Sequence, residues 1–279
     1  MIHVTLRDGR RLSAHDSTNG DPRPLTILWH HGSPQTGAAL EPHLRAAGER
    51  HIRWISYGRP GYGGSTVRSG RTVADAADDV RELLDALGVE QFATMGASGG
   101  GPHALAGALA MPDRVTAVAT FATLAPHTTD IDWFAGMAGG GPALRAALLG
   151  EDARTEFERT AEFDATSFTA GDYAALESRW RSLAADVGVA AAAGPEGLIA
   201  DDLALVTPWG AGLSELEVPV LLVHGGADRV VPASHADHLL GTLPDAELWL
   251  RPRDGHISIL DASTLAIDWL RERHLARSG

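Results

Sequence analysis

The chain has 279 residues, 44% of them hydrophobic, enough for one large core and ordinary for a globular protein. Its 36 acidic residues outnumber 23 basic ones, for a net charge of −13. No basic run offers a face for a phosphate backbone, which argues against nucleic acid as a partner. With arginine at every Lys/Arg position and no cysteine, Schiff-base and P-loop lysine chemistry, thiolate catalysis, disulfides and cysteine-ligated metal centres are excluded.

Residues 2–6 alternate as a strand would, and 25–30 and 52–56 are continuous apolar runs, each of the latter two ending in a Gly-rich loop. Residues 72–87 carry apolar side chains at helical spacing, with a stop at Gly88. A strand over 92–97, a helix over 99–110 that ends before Pro112, and a strand over 115–121 follow. This βαβ rhythm is that of a parallel sheet covered on both faces. It breaks between about 125 and 215, where the composition predicts an inserted helical cap. That segment has 15 acidic against 5 basic residues, and so holds most of the chain's negative charge. The β pattern resumes over 218–224, then come a helix over 232–243, a strand over 247–250 and a closing helix over 257–274. The expected organisation is therefore a core domain made of 1–124 and 216–279, interrupted by a cap at 125–215. The first 20 residues are not a basic segment followed by an apolar one, and no apolar stretch of about 18 residues occurs. A cytoplasmic protein without membrane partners is the expectation; monomer and homodimer both remain open.

The strongest local signal is Gly96, Ala97, Ser98, Gly99, Gly100, placed between a predicted strand and a predicted helix. A turn that tight strains the backbone at the serine and needs small neighbours. It also sets the first free N–H groups of the helix beside the hydroxyl. Taken alone, the run reads equally well as a glycine-rich turn whose serine caps the helix. A serine hydroxyl is a poor nucleophile until a base takes its proton, and that base needs a carboxylate to orient it. Asp228 follows the 218–224 strand, and His256 lies between the last strand and the final helix, at the end of the sheet where parallel-sheet proteins place their sites. Among 13 histidines a given one is more often structural, but the strand-end position sets His256 apart. Asp254 is the rival carboxylate, with the poorer strand-end setting. In the loop His31, Gly32, Ser33, Pro34, the Ser33 amide can serve with that of Gly99 as an oxyanion donor; the bland alternative is an ordinary turn.

Together these residues resemble the α/β-hydrolase superfamily over nearly the whole chain outside the cap. The marks are the 31–34 loop, the 96–100 elbow, Asp228 ahead of Val230, Val231 and Pro232, and the Gly255, His256 pair. The resemblance implies an eight-stranded, mostly parallel sheet, a lid inserted after the sixth strand, and acyl-enzyme chemistry without metal or other cofactor. The chain looks most like the branch of small esterases, haloperoxidase-like perhydrolases and proline iminopeptidases. It departs from relatives in three places: Tyr57, Gly58, Arg59 where many begin a loop with aspartate, Gly99 where many carry a bulky residue, and Ser33 where aminopeptidases have a second glycine. Serine at position 98 argues against an epoxide hydrolase or a dehalogenase, which need aspartate there.

The expected activity is hydrolysis of an ester or related acyl bond of a small molecule, with Ser98 as nucleophile, His256 as base and Asp228 orienting it. Trp133, Phe134, Phe157, Phe163, Phe168, Trp180 and Trp209 supply the cap with aromatics, more of them core than pocket lining. An aminopeptidase that holds a substrate ammonium with the acidic cap, and a binding protein that retains the triad for ligand recognition, are the alternatives.

Overall fold

Apolar runs with β-branched and aromatic residues become the central strands, and the turn residues between them set the crossovers. The computed structural model describes residues 1–21, 23–210 and 212–278. The strands are β1 (Ile2–Thr5), β2 (Arg11–Asp16), β3 (Leu25–His30), β4 (Ile52–Tyr57), β5 (Phe92–Ala97), β6 (Val115–Phe121), β7 (Val220–Gly225) and β8 (Ala246–Arg251). They form one eight-stranded sheet in the order β1-β2-β4-β3-β5-β6-β7-β8. β2 runs antiparallel to β1 and β4, and the remaining pairs are parallel. The expected sheet is thus found, with β2 as a further strand whose polar residues give no strand pattern in the sequence.

Helices α1 (Glu41–Glu49), α2 (Ala76–Ala86) and α3 (Gly100–Ala110) belong to the first crossovers. Among the described residues, the α-helices between β6 and β7 are α4 (Pro142–Leu148), α5 (Glu151–Thr160), α6 (Ala170–Glu177), α7 (Arg181–Ala193) and α8 (Glu196–Val206). α9 (Ser234–Thr242) and α10 (Ser263–Ser278) complete the chain. The final helix starts later than expected, because 258–262 winds as a tighter 3-10 turn first. Residues 72–75, expected as the start of α2, instead form a side-chain turn in which the Thr72 amide and hydroxyl donate to Asp75.

Alternation along the strands sends side chains into two cores. Leu28 and Ile55 pack with Val80, Leu83, Leu84 and Leu105 of α2 and α3 on one face. Ile27, Trp29 and Trp54 pack with Ala46, Ile267 and Leu270 of α1 and α10 on the other. The stretch between β6 and β7 joins both: Leu205 and Trp209 extend the first cluster, Trp180 and Leu183 the second. Among the described residues no single helix is long and apolar enough to cross a membrane.

The register matters most for function. His30 pairs with both Tyr57 and Gly96, Ala97 pairs with Phe121, and His224 pairs with Leu250. The carboxyl ends of these strands therefore lie at one edge. The chain turns back on itself there too, since β4 flanks β3 on one side and β5 on the other.

Candidate active site

Ser98 directly follows β5 and stands with φ at +51°, in the left-handed region that a residue with a Cβ rarely adopts. Its amide donates to the Phe121 carbonyl at 2.8 Å, and its carbonyl accepts from the Gly101 amide at 3.0 Å, so both neighbouring elements hold the strained residue. Small neighbours are obligatory. A Cβ on Gly96 would lie 2.4 Å from the Gly100 carbonyl oxygen, and one on Gly100 would lie 2.1 Å from that of His30. The 31–34 loop lies alongside. The Cβ position of Gly32 is 3.6 Å from Ser98 Cβ, and that of Gly99 is 2.7 Å from the Ser33 hydroxyl. Ser98, Gly99 and Ser33 are thus brought together.

Asp228 and His256 leave the sheet from β7 and β8 and meet, His256 Nδ1 donating to Asp228 Oδ2 at 2.8 Å. The other carboxylate oxygen accepts from the amides of Val230 and Val231 at 2.8 and 2.9 Å, which locks the acid in its loop. Since Nδ1 carries the proton shared with the carboxylate, Nε2 of the neutral ring is left as the basic lone pair. Burial disfavours the imidazolium, but the charge and hydrogen bond of Asp228, with a contribution from Asp172, outweigh it and raise the His256 pKa above the ordinary value. Asp254, the rival carboxylate, pairs with Arg251 instead.

The sequence model of the alpha/beta hydrolase fold matches residues 26–263, most of the chain. The chain belongs to the α/β-hydrolase family. It is 27% identical over 268 residues to a 2-hydroxy-6-oxo-6-phenylhexa-2,4-dienoate hydrolase of Comamonas testosteroni, covering 88% of this chain and 87% of that one. It is likewise 27% identical over 250 residues to a pimeloyl-[acyl-carrier protein] methyl ester esterase of Nitrosomonas europaea, covering 89% and 94%. In fold it resembles the enol-lactonase of Burkholderia xenovorans, with TM-score 0.72 at 21% identity over 97% of this chain and 100% of the other.

In this α/β hydrolase Arg59 has no role that its sequence context assigns, and the structure shows what it touches. Arg59 is fully buried. Its guanidinium donates to the His31 carbonyl at 2.5 Å, to the Ser33 hydroxyl at 2.9 Å and to the Asp201 carboxylate at 2.6 and 3.2 Å. Asp201 comes from α8, and also accepts from Arg71, from the Ser33 hydroxyl and from Tyr62 at 3.0 Å. Burial alone would drive its carboxyl upward; Arg59 and Arg71 override that and hold it well below the usual range. From Arg71 the chain of contacts runs to His103 Nε2, whose ring donates from Nδ1 to the Gly99 carbonyl at 2.7 Å. Ser33 and Gly99 are therefore tied to one buried ionic cluster whose anion sits on α8. The sole signal in the sequence is the stretch Tyr57, Gly58, Arg59 after β4, where many relatives begin the loop with aspartate.

The aromatics between β6 and β7 differ in their surroundings. Trp133, Phe134, Trp180 and Trp209 are buried core. Phe168 differs, its ring lying within 11° of parallel to His256 with centroids 6.5 Å apart, while Phe163 against it is exposed.

Proposed function

We propose that this α/β hydrolase is a serine hydrolase that cleaves an ester or related acyl bond of a small-molecule substrate. The observation that carries the reading is the Asp228–His256 hydrogen bond at the same sheet edge as the strained Ser98. His256 Nε2 takes the Ser98 proton as the hydroxyl oxygen adds to the acyl carbonyl. The Ser33 and Gly99 amides stabilise the oxyanion, and the imidazolium protonates the leaving alcohol as the acyl-enzyme forms. Water then adds to the acyl-enzyme by the same proton transfers, releasing the acid and restoring Ser98. Asp228 holds the tautomer and stabilises the imidazolium. The 125–215 segment serves as the cap over this site, with Phe168 beside the acyl group.

A fluorophosphonate probe should label the protein at Ser98, and turnover of p-nitrophenyl acetate should fall by about three orders of magnitude or more in Ser98→Ala. Labelling at another residue, or full turnover in the variant, overturns the assignment. A second reading has support from the relatives. The dienoate named for the Comamonas hydrolase is a ketone, so its hydrolysis breaks a carbon–carbon bond. Turnover of that dienoate with no p-nitrophenyl ester activity would favour it. The aminopeptidase reading has less behind it, because core-facing acids of the insertion are already engaged: Asp201 with Arg59 and Arg71, Asp202 with Arg154, and Asp186 with Thr36.

A further inference from the structure

A second carboxylate reaches the histidine loop from the insertion. Asp172, fully buried on α6, turns its Oδ1 toward the chain just after His256, where it accepts from the Ile257 amide at 2.9 Å, the Ser258 amide at 2.7 Å and the Ser258 hydroxyl at 2.8 Å. The Ser258 hydroxyl in turn accepts from the Gly255 amide at 2.8 Å, so the contact encloses His256 from both sides. Packing is tight enough to require glycine: a Cβ on Gly255 would fall 2.0 Å from Asp172 Oδ2. Oδ2 is anchored on its own side by the Thr169 amide and hydroxyl, each at 2.9 Å, in the capping box that starts α6. A helix-capping aspartate needs only that inner set of bonds. The outer set, across 85 residues of sequence, is what a helix cap does not explain.

We infer that Asp172 is a positioning residue for His256: its carboxylate fixes the backbone of the loop that carries the imidazole, so the base is set in place by the insertion. The inference rests on the role proposed above for His256. It differs from that role in placing part of the support for the base outside the core sheet. The groups that face the ring are Asp228 from the loop after β7, Asp172 from α6 and, behind Asp228, His224 of β7, whose Nε2 lies 3.8 Å from Asp228 Oδ2 and which burial keeps neutral. Of these, Asp172 adds negative charge without touching the ring. Removing that charge disfavours the imidazolium and must lower the His256 pKa.

The experiment uses the full chain and two variants. In Asp172→Asn the charge is gone and an NH2 group faces the Thr169 donors. In Ser258→Ala the charge stays and the bracket around His256 opens. The His256 midpoint is read by NMR of the imidazole without substrate, beside kcat and KM for p-nitrophenyl acetate across pH. For Asp172→Asn the midpoint and the acid limb of kcat/KM should both move to lower pH by about half a unit to one unit, with kcat down about tenfold or more. For Ser258→Ala kcat should fall about tenfold with KM and midpoint little changed. A folded Asp172→Asn with wild-type kcat and midpoint overturns the inference. If that variant does not fold, wild-type kcat in Ser258→Ala overturns it. Failure of the serine-hydrolase reading looks different: the wild-type protein leaves the fluorophosphonate unreacted while the NMR midpoint still responds to Asp172→Asn.

Discussion

Arg59, Arg71 and Asp201 show how much a few side chains decide here. All three lie almost wholly out of water. Two guanidiniums on one carboxylate is a costly thing to bury, and such a cluster persists when each charge is paired and geometrically fixed. Deleting the anion alone is therefore far worse than never having built the cluster. Asp201→Asn should destabilise the fold by roughly 3–5 kcal/mol, because it leaves buried positive charge uncompensated. Under the proposed mechanism it should also lower kcat for p-nitrophenyl acetate, since Ser33 and Gly99 lose their brace. Urea unfolding checks the first effect, and an unchanged midpoint would mean that water or a rearranged partner already satisfies the arginines. Beyond the missing aspartate ahead of Arg59, the sequence carries no sign of this cluster. Arg59 and Asp201 stand 142 residues apart, and a buried aspartate on an apolar helix looks in sequence like any polar residue on a solvated face.

At the scale of elements, legibility followed the strength of the periodic signal. β3, β5 and β6 are runs of apolar residues buried along their whole length, and their bounds were read to the residue. β2, with Arg11, Ser13, His15 and Asp16, has too little apolar character to be recognised without its partner strands, and α1 breaks its own pattern with Pro42 and Gly48. The elbow was the most legible piece of the site, because its demands are steric and local. Two glycines of α3 test that view. Gly100→Ala puts a methyl 2.1 Å from a carbonyl oxygen of β3 and should cost more than about 2 kcal/mol while slowing fluorophosphonate labelling. Gly107→Ala on the same helix meets nothing within 4 Å and should stabilise by about 0.5–1 kcal/mol. Equal denaturation midpoints for the two variants would remove the steric account of the turn.

Across the whole molecule, the unusual feature is how many histidines are sealed in the interior. Burial pushes the pKa of His30 and His43 down to about 3 and that of His235 to about 4, against an unfolded value near 6.5. Such groups stay neutral in the folded state and take up protons on unfolding. Their contribution to stability is complete above pH 6.5 and is lost as pH falls toward the folded values. Each one adds a slope of about 1.4 kcal/mol per pH unit within that window. His256 has the opposite sign, since its folded pKa is raised: its contribution is present at low pH and fades as pH climbs through that value. The buried set outweighs it, so urea unfolding at pH 5.5 should give a clearly lower stability than at pH 7.5. Equal values would show that these rings protonate in place.

The carboxylates at 172 and 201 also bear on engineering. Exchanging loops or whole helical segments among relatives is a common way to alter substrate range, and it presumes that the exchanged part touches the rest through replaceable apolar contacts. Here a transplanted segment without an acid facing Arg59 and Arg71, and another facing the amides of Ile257 and Ser258, would arrive with stranded charge and open donors beneath it. Chimeras of this enzyme should be designed around those two aspartates, leaving variation to the exposed stretch near Phe163.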